Sequence, residues 1–196
     1  MENTNNIFEI PTNRLKPIQG RVLLSEPFLN DYYFKRSVVL LVDNGNEGSL
    51  GIIINKPLSL KLNEVITDFE KSNINVYLGG PIKTENIYFI HRCGDIIEGS
   101  IEIEKGVYWG GNVKIVRDML INNVISNDDI RFYLGYSGWV PKQLEDEITK
   151  NSWAVSNISE EEIFNKEPLI LWDSLVVKLG GNYKHWIKFP VNPAAN

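Results

Sequence analysis

Residues 131–147 read RFYLGYSGWVPKQLEDE. The pattern is a short strand from Arg131 to Leu134, then a turn rich in glycine and aromatics, then a helix opened by a proline. Side chains alternate along an extended backbone, so Phe132 and Leu134 take one face and Arg131 and Tyr133 the other. Gly135 and Gly138 reach backbone angles closed to other residues, which predicts a sharp reversal between them. Pro141 suits a first helical position, where a missing N–H costs nothing. Val140, Leu144 and Ile148 recur every four residues and give that helix one apolar stripe.

Working outward, the most apolar segments read as strands. Val38 to Val42 is unbroken and rich in β-branched residues, which predicts burial on both faces, and Leu50 to Ile54 reads the same way. The Asn44-Gly45 turn signal between them predicts an antiparallel hairpin, and Asn55-Lys56-Pro57 ends its second strand. Shorter strands are expected at Val22–Leu24, Val76–Leu78, Ile87–His91 and Trp153–Val155, with a hairpin half over Ile101–Tyr108. Leu62, Val65, Ile66 and Phe69 sit at helical spacing. Asn112 can cap a helix through Ile121, with Val113, Val116, Leu120 and Ile121 inward. Pro168 starts a last helix with the stripe Leu169, Trp172, Leu175, Val176 and Leu179, and Gly180 suits its left-handed end.

Strands and helices do not alternate regularly, which predicts an α+β fold: a mixed, largely antiparallel β-sheet with helices packed on it, in a single domain. Residues 1–19 read as a loose arm with one short contact through Ile7 and Phe8, and residues 20–196 as the domain, with a C-terminal helical extension from about 159 to 196. A chain of 196 residues can bury a sizeable core. The formal net charge is −5, and the 20 basic residues are scattered among acidic neighbours. Phosphate neutralisation needs clustered Lys and Arg, so no direct nucleic-acid binding is expected. MENTNNIFEI has neither a basic start nor an apolar core, and Val38–Val42 is far too short to span a bilayer, so a cytoplasmic protein with no membrane contact is expected. The single cysteine, Cys93, forms no internal disulfide.

Few residues carry obvious chemistry. Gly135-Tyr136-Ser137-Gly138-Trp139 approaches a nucleophile elbow, and Asp173 and His185 follow in hydrolase order. Trp139 nevertheless stands where the second glycine belongs, so a structural turn is favoured over a Ser137 nucleophile. His91 and Cys93 share a face if their strand continues, yet two histidines and one cysteine make a poor metal set, and an inert thiol beside a loop-edge histidine is favoured. Gly79-Gly80 could offer backbone N–H groups to an anion, although Pro81 removes the next donor and a tight turn is the simpler reading. Asp31, Arg36 and Asn55 are polar residues bordering the most apolar strands. Either an Asp31–Arg36 ion pair fixes a loop there, or the three line a ligand pocket. Five tryptophans point first to core anchoring, while Trp109 and Trp139, beside glycines, are candidates for a cleft or a partner surface. Glu145, Asp146 and Glu147 read as a solvated helix face.

The piece GYSGWVPKQLEDE from Gly135 resembles the signature of the YqgE/AlgH family, bacterial proteins often labelled transcriptional regulators. GRVLLSEPFLNDYYFKRSVVLL from Gly20, GSLGIIINKP from Gly48, VYLGGPI from Val76 and GVYWGG from Gly106 follow the family order. LWDSLVVKLGGNYKHWIKFP resembles the extension of one branch. Many members carry glycine before the Gln-Leu pair, where this chain has Lys142. The resemblance implies a regulatory role. With no basic recognition helix, and an acidic helix after Trp139, that role is expected to run through a protein or small-molecule partner, without a cofactor. Asp31, Arg36, Asn55, Gly79, Gly80, Trp109, Trp139 and Gln143 are its candidate ligand- or partner-binding residues. The alternatives are an enzyme on a small polar or phosphorylated substrate, using Ser137 or His91, and an interaction module using Trp109 and Trp139.

Overall fold

The computed structural model describes residues 15–29, 31–69 and 72–190, so Ile7 and Phe8 lie outside the described residues. The apolar run Val38–Val42 opens β2 (Val38–Gly45), which pairs antiparallel with β1 (Val22–Ser25) on one side and β3 (Gly48–Ile53) on the other. β1 also pairs with β10 (Trp153–Ser156). Alternation sorts these strands onto two faces, as their burial on both sides requires. Val22, Leu24, Val38, Leu40, Ile52 and Ile54 pack under α5 (Leu171–Leu179) with Trp172, Leu175 and Val176. Leu23, Val39, Leu41 and Ile53 face the other way, against Trp139, Trp153 and Leu144 of α3 (Gln143–Thr149).

β9 (Ile130–Trp139) is the strand that joins everything else. Its first half pairs parallel with β5 (Asn75–Leu78) and antiparallel with β6 (Ile82–His91). Its second half pairs with β3 through Ser137–Trp139. The sheet therefore runs β10-β1-β2-β3-β9-β6-β8-β7, where β7 is Ile101–Glu104 and β8 is Val107–Trp109. β5 leaves that path on the β9 side and carries β4 (Pro57–Lys61). The fold is α+β, with a mixed and largely antiparallel sheet. Phe132 packs with Phe69, Phe89, Val116 and Met119 beneath α2 (Val113–Ile121), while Tyr133 joins the opposite face. Among the described residues, no helix is long and apolar enough to cross a membrane.

The expected reversal at Gly135–Gly138 is not a turn: β9 runs straight through it. The glycines serve close approach instead. A Cβ on Gly79 would sit 2.1 Å from the Gly135 carbonyl oxygen, and one on Gly135, at φ +70°, would sit 2.5 Å from that of Gly80. The end of β5 and the middle of β9 thus cross backbone to backbone, where β9 exchanges β5 for β3 as its neighbour. The helix after β9 also starts later than expected. Lys142 adopts φ 70° and α3 begins at Gln143, so Pro141 lies in the preceding turn and Val140 is 67% exposed. Lys142 takes the left-handed conformation that glycine tolerates best.

Smaller departures have similar causes. Pro57 ends β3's connection but opens β4, at a first-strand position that needs no donor. The Leu62–Phe69 helix is one turn, α1 (Leu62–Val65), followed by a 3-10 turn at Thr67–Phe69. Residues 101–109 hold both arms of a hairpin. In α2, Asn112 caps as expected, but Val116 and Met119 are buried while Val113 and Ile121 are 40% and 54% exposed. Leu169 sits in a 3-10 turn and is 73% exposed, so the α5 stripe begins at Leu171. Residues 15–19 lie on the body: Asn44 Nδ2 donates to the Pro17 carbonyl at 2.7 Å, and Gln19 Nε2 to that of Glu102 at 2.9 Å.

Candidate functional site

Asp31, Arg36 and Asn55 fall in one neighbourhood, where they hold the chain leading into β2. Asp31 Oδ1 accepts the backbone N–H groups of Tyr33 at 2.7 Å and Phe34 at 3.0 Å. Buried Asn55 accepts from Val38 N at 2.8 Å and donates to the Arg36 carbonyl at 2.9 Å. Arg36 does not pair with Asp31. Its backbone is left-handed at φ 48°, and its guanidinium lies 4.8 Å over the Trp172 ring. Nη1 lies 3.5 Å from Asp173 Oδ1, and Nη2 donates to the Phe189 carbonyl at 2.5 Å. The Asp31 carboxylate is already taken up by its own turn, and the arginine docks the C-terminal segment instead. Burial pushes the nearby Lys56 ammonium down, partly offset by Asp31, and its Nζ donates to the Tyr33 carbonyl at 2.6 Å.

The reactive candidates are tied down too. Ser137 is fully buried, and its hydroxyl donates to the Gly79 carbonyl at 3.2 Å. Gly79 N donates to Leu134 O at 2.8 Å and Gly79 O accepts from Ile53 N at 2.8 Å, which spends Gly79 on the crossing. His91 is the last residue of β6, at the edge of the loop that follows, and is fully buried there. Its Nδ1 accepts the Cys93 N–H at 3.2 Å, which places the proton on Nε2, facing Ser100 Oγ at 2.9 Å and Gly110 O at 3.1 Å. Burial pushes this imidazole down and the Cys93 thiol up, so both are neutral near pH 7. The acidic run after Trp139 is not wholly a solvated face. Glu147 Oε2 accepts both indole N–H groups, Trp139 at 2.9 Å and Trp153 at 2.7 Å, and Oε1 accepts Gln143 Nε2 at 2.8 Å. Gln143 Oε1 in turn accepts Val140 N at 3.0 Å. Trp109 stacks on Tyr88 at 5.5 Å, on another part of the sheet.

A different group converges on a cleft. Where β5 and β9 begin, a cavity of about 250 Å³ opens against the segment after α4 (Glu160–Ile163). Asn75, Tyr77, Asn127, Arg131, Phe164 and Lys166 line it. Arg131 forms its floor, only 8% exposed, with its guanidinium 5.1 Å from the Tyr77 ring and 5.8 Å from that of Phe164. Nη2 donates to the Asn165 carbonyl. Nη1 is buried against the Tyr133 hydroxyl, and neither makes a well-formed hydrogen bond to another described residue. Among the described residues no carboxylate bridges this arginine. Asp128, near enough to feel its charge, is bonded to Lys166 Nζ at 2.7 Å, and that bond holds its carboxyl below the usual range. Burial pushes the Tyr133 phenol well above its ordinary value. A guanidinium this deep, with one carbonyl and two aromatic faces, is left without a bonded carboxylate among the described residues.

The AlgH-like family, DUF179, matches residues 22–184 by its sequence profile. The chain belongs to the AlgH-like family. UPF0301 proteins of Parabacteroides distasonis and Bacteroides thetaiotaomicron are each 40% identical to it, over 100% and 98% of both chains respectively. The solution structure of the AlgH protein from Pseudomonas aeruginosa matches with a TM-score of 0.67 at 23% identity, covering 91% of this chain and 98% of that one. A crystal structure of a Corynebacterium diphtheriae protein matches with a TM-score of 0.75 at 18% identity, over 90% and 95%. At these identities the likeness is one of fold. The motifs shared with the AlgH-like family have direct structural uses in this chain: VYLGGPI and GYSGWVPKQLEDE meet at the backbone crossing and the indole–Glu147 cluster.

The cleft residues escaped the sequence reading, which placed Arg131 on a strand face without a role. Its partners Phe164, Asn165 and Lys166 lie more than 30 positions away, in a segment with no motif of its own. One local signal was present: an arginine between Ile130 and Phe132 on the same strand face as Tyr133, where an apolar residue is the norm.

Proposed function

We propose that this AlgH-like protein works by binding: a small anionic molecule occupies the Arg131 cleft, and the occupied protein carries the regulatory role through its surface. The observation that supports this reading is the buried Arg131 guanidinium at the floor of an open cleft, which no carboxylate of the described residues bridges. A carboxylate or phosphate there supplies the missing charge through charge-assisted hydrogen bonds. Binding is favoured over catalysis because the titratable groups at hand do not exchange protons near pH 7. Asp128 stays ionised and Tyr133 stays protonated. Ser137 and His91, the reacting groups of an enzymatic reading, are committed to internal hydrogen bonds.

Isothermal titration of the protein with inorganic phosphate and with acetate tests this, alongside Arg131→Met. Binding that Arg131→Met abolishes is expected. The variant should keep its stability within about 1 kcal/mol, because methionine retains the packing stem and removes an unpaired buried charge. Absence of binding in the native protein, or equal binding by the variant, refutes the proposal.

A further inference from the structure

The Arg131 cleft does not end at its own walls. A second cavity, of about 550 Å³, lies between the Thr67–Phe69 turn and α2, and shares Asn73 and Asn127 with the first. The two arms differ in chemistry. In the first, Arg131 is unpaired by any carboxylate. In the second, the one cation lining it among the described residues is Arg117, which already faces two carboxylates, Asp118 at 2.9 Å and Asp68 at 3.9 Å. Among the described residues the second arm therefore offers no unpaired positive charge to a ligand. Its wall combines Leu120 and Ile121, the latter 54% exposed, with the hydroxyl of Thr67 and the amides of Asn73, Asn123 and Asn127. None of those three amide side chains is committed to a hydrogen bond with another described residue.

Resting on the reading of the Arg131 cleft as a ligand site, we infer that the ligand is elongated and anionic at one end only. Its anionic head, a carboxylate or a phosphate, lies at Arg131. A neutral body with a hydrogen-bonding edge passes between Asn73 and Asn127 and lies along α2. An amide presents donor and acceptor together, so three of them suit a body that does the same, such as a peptide-like amide or a nitrogen heterocycle. Leu120 and Ile121 take its apolar side. A second anionic group at the far end gains nothing there, since Asp68 and Asp118 already outweigh Arg117.

Two titration series decide the matter. One is inorganic phosphate, ribose 5-phosphate and AMP; the other is acetate, N-acetylglycine and N-acetylglycyl-leucine. The expected result is that the longest member of one series binds at least tenfold tighter than its bare head. The series that does so identifies the head group. Asn127→Trp, an exposed position at the neck, should return that member to the affinity of its head and leave the head unchanged, with Asn73→Trp as an independent closure. Arg131-dependent binding of the heads with no tenfold gain in either series overturns this inference and leaves the Arg131 site standing. Equal loss of head and long ligand in both neck variants also overturns it. Failure of every member to bind overturns both.

Discussion

Replacing Glu147 with alanine removes one carboxylate that accepts from three donors, and two of these are indole N–H groups on buried rings. Trp139 and Trp153 are 6% and 4% exposed, meet edge to face at 5.9 Å, and both aim at Glu147 Oε2. Each buried donor left without an acceptor costs about 1–3 kcal/mol. Glu147 itself is half-buried, so water can enter the vacated space and recover part of that loss. The net expectation is a destabilisation of about 2–4 kcal/mol. In urea, with a slope of about 2 kcal/mol/M, that lowers the unfolding midpoint by about 1–2 M at unchanged slope. Tryptophan fluorescence and far-ultraviolet circular dichroism should report the same midpoint. Glu145→Ala, an exposed position on the same helix, should stay within about 0.5 kcal/mol. Adding Trp153→Phe to Glu147→Ala should cost less than the sum of the two single changes, because they delete one shared bond. A loss below about 1 kcal/mol for Glu147→Ala, or parity with Glu145→Ala, would refute the assignment of this carboxylate as the link between β9, β10 and α3.

Gly79→Ala should destabilise by about 3 kcal/mol or more, read by thermal denaturation, because its Cβ would lie 2.1 Å from the Gly135 oxygen and only backbone displacement relieves that. Lys142→Gly should raise stability by about 0.5–1 kcal/mol by relieving a non-glycine residue at φ 70°, and an unchanged or lower midpoint would count against the strain. Burial holds the folded-state pKa of His91 below 6.5, so the unfolded chain takes up this proton first. The stability contributed by the neutral ring is complete above that pH and declines as the pH falls below it. His91→Asn should flatten this part of the stability–pH curve in urea titrations between pH 7 and 5, and an identical slope would exclude His91 as its source.

The hairpin of β2 and β3 was legible because the apolar runs Val38–Val42 and Leu50–Ile54 leave no other assignment and a turn signal stands between them. What misled the reading of residues 135–138 is that glycine carries two meanings. A run such as Leu134-Gly135-Tyr136-Ser137-Gly138 signals reversal when the glycines supply torsional freedom, and close approach when another backbone lies against them. The partner in this chain is Gly79-Gly80, more than 50 positions upstream, and nothing local distinguishes the cases. Two GG- or GxxG-bearing strands of similar apolar character, each with a glycine where a side chain should pack, are better read together as a crossing. The same pairing explains why Trp139 follows Gly138 without strain: it is a strand residue whose ring fills the core beside Trp153, not a bulky intruder in an elbow.

The polar candidates divide by a related logic. Asp31, Arg36 and Asn55 were conspicuous because they border the most apolar strands, and in such a place a polar side chain must find backbone partners. They do, at 2.5–3.0 Å, although Arg36 Nε is buried without a partner among the described residues. Arg131 drew no attention because a strand arginine beside Tyr133 has many ordinary explanations, most of them a carboxylate supplied by the fold. The described residues supply a carbonyl and two rings instead. A sequence can place an arginine on a buried face, but only the fold can show that no described carboxylate bridges it, and the site proposed at Arg131 rests on that observation.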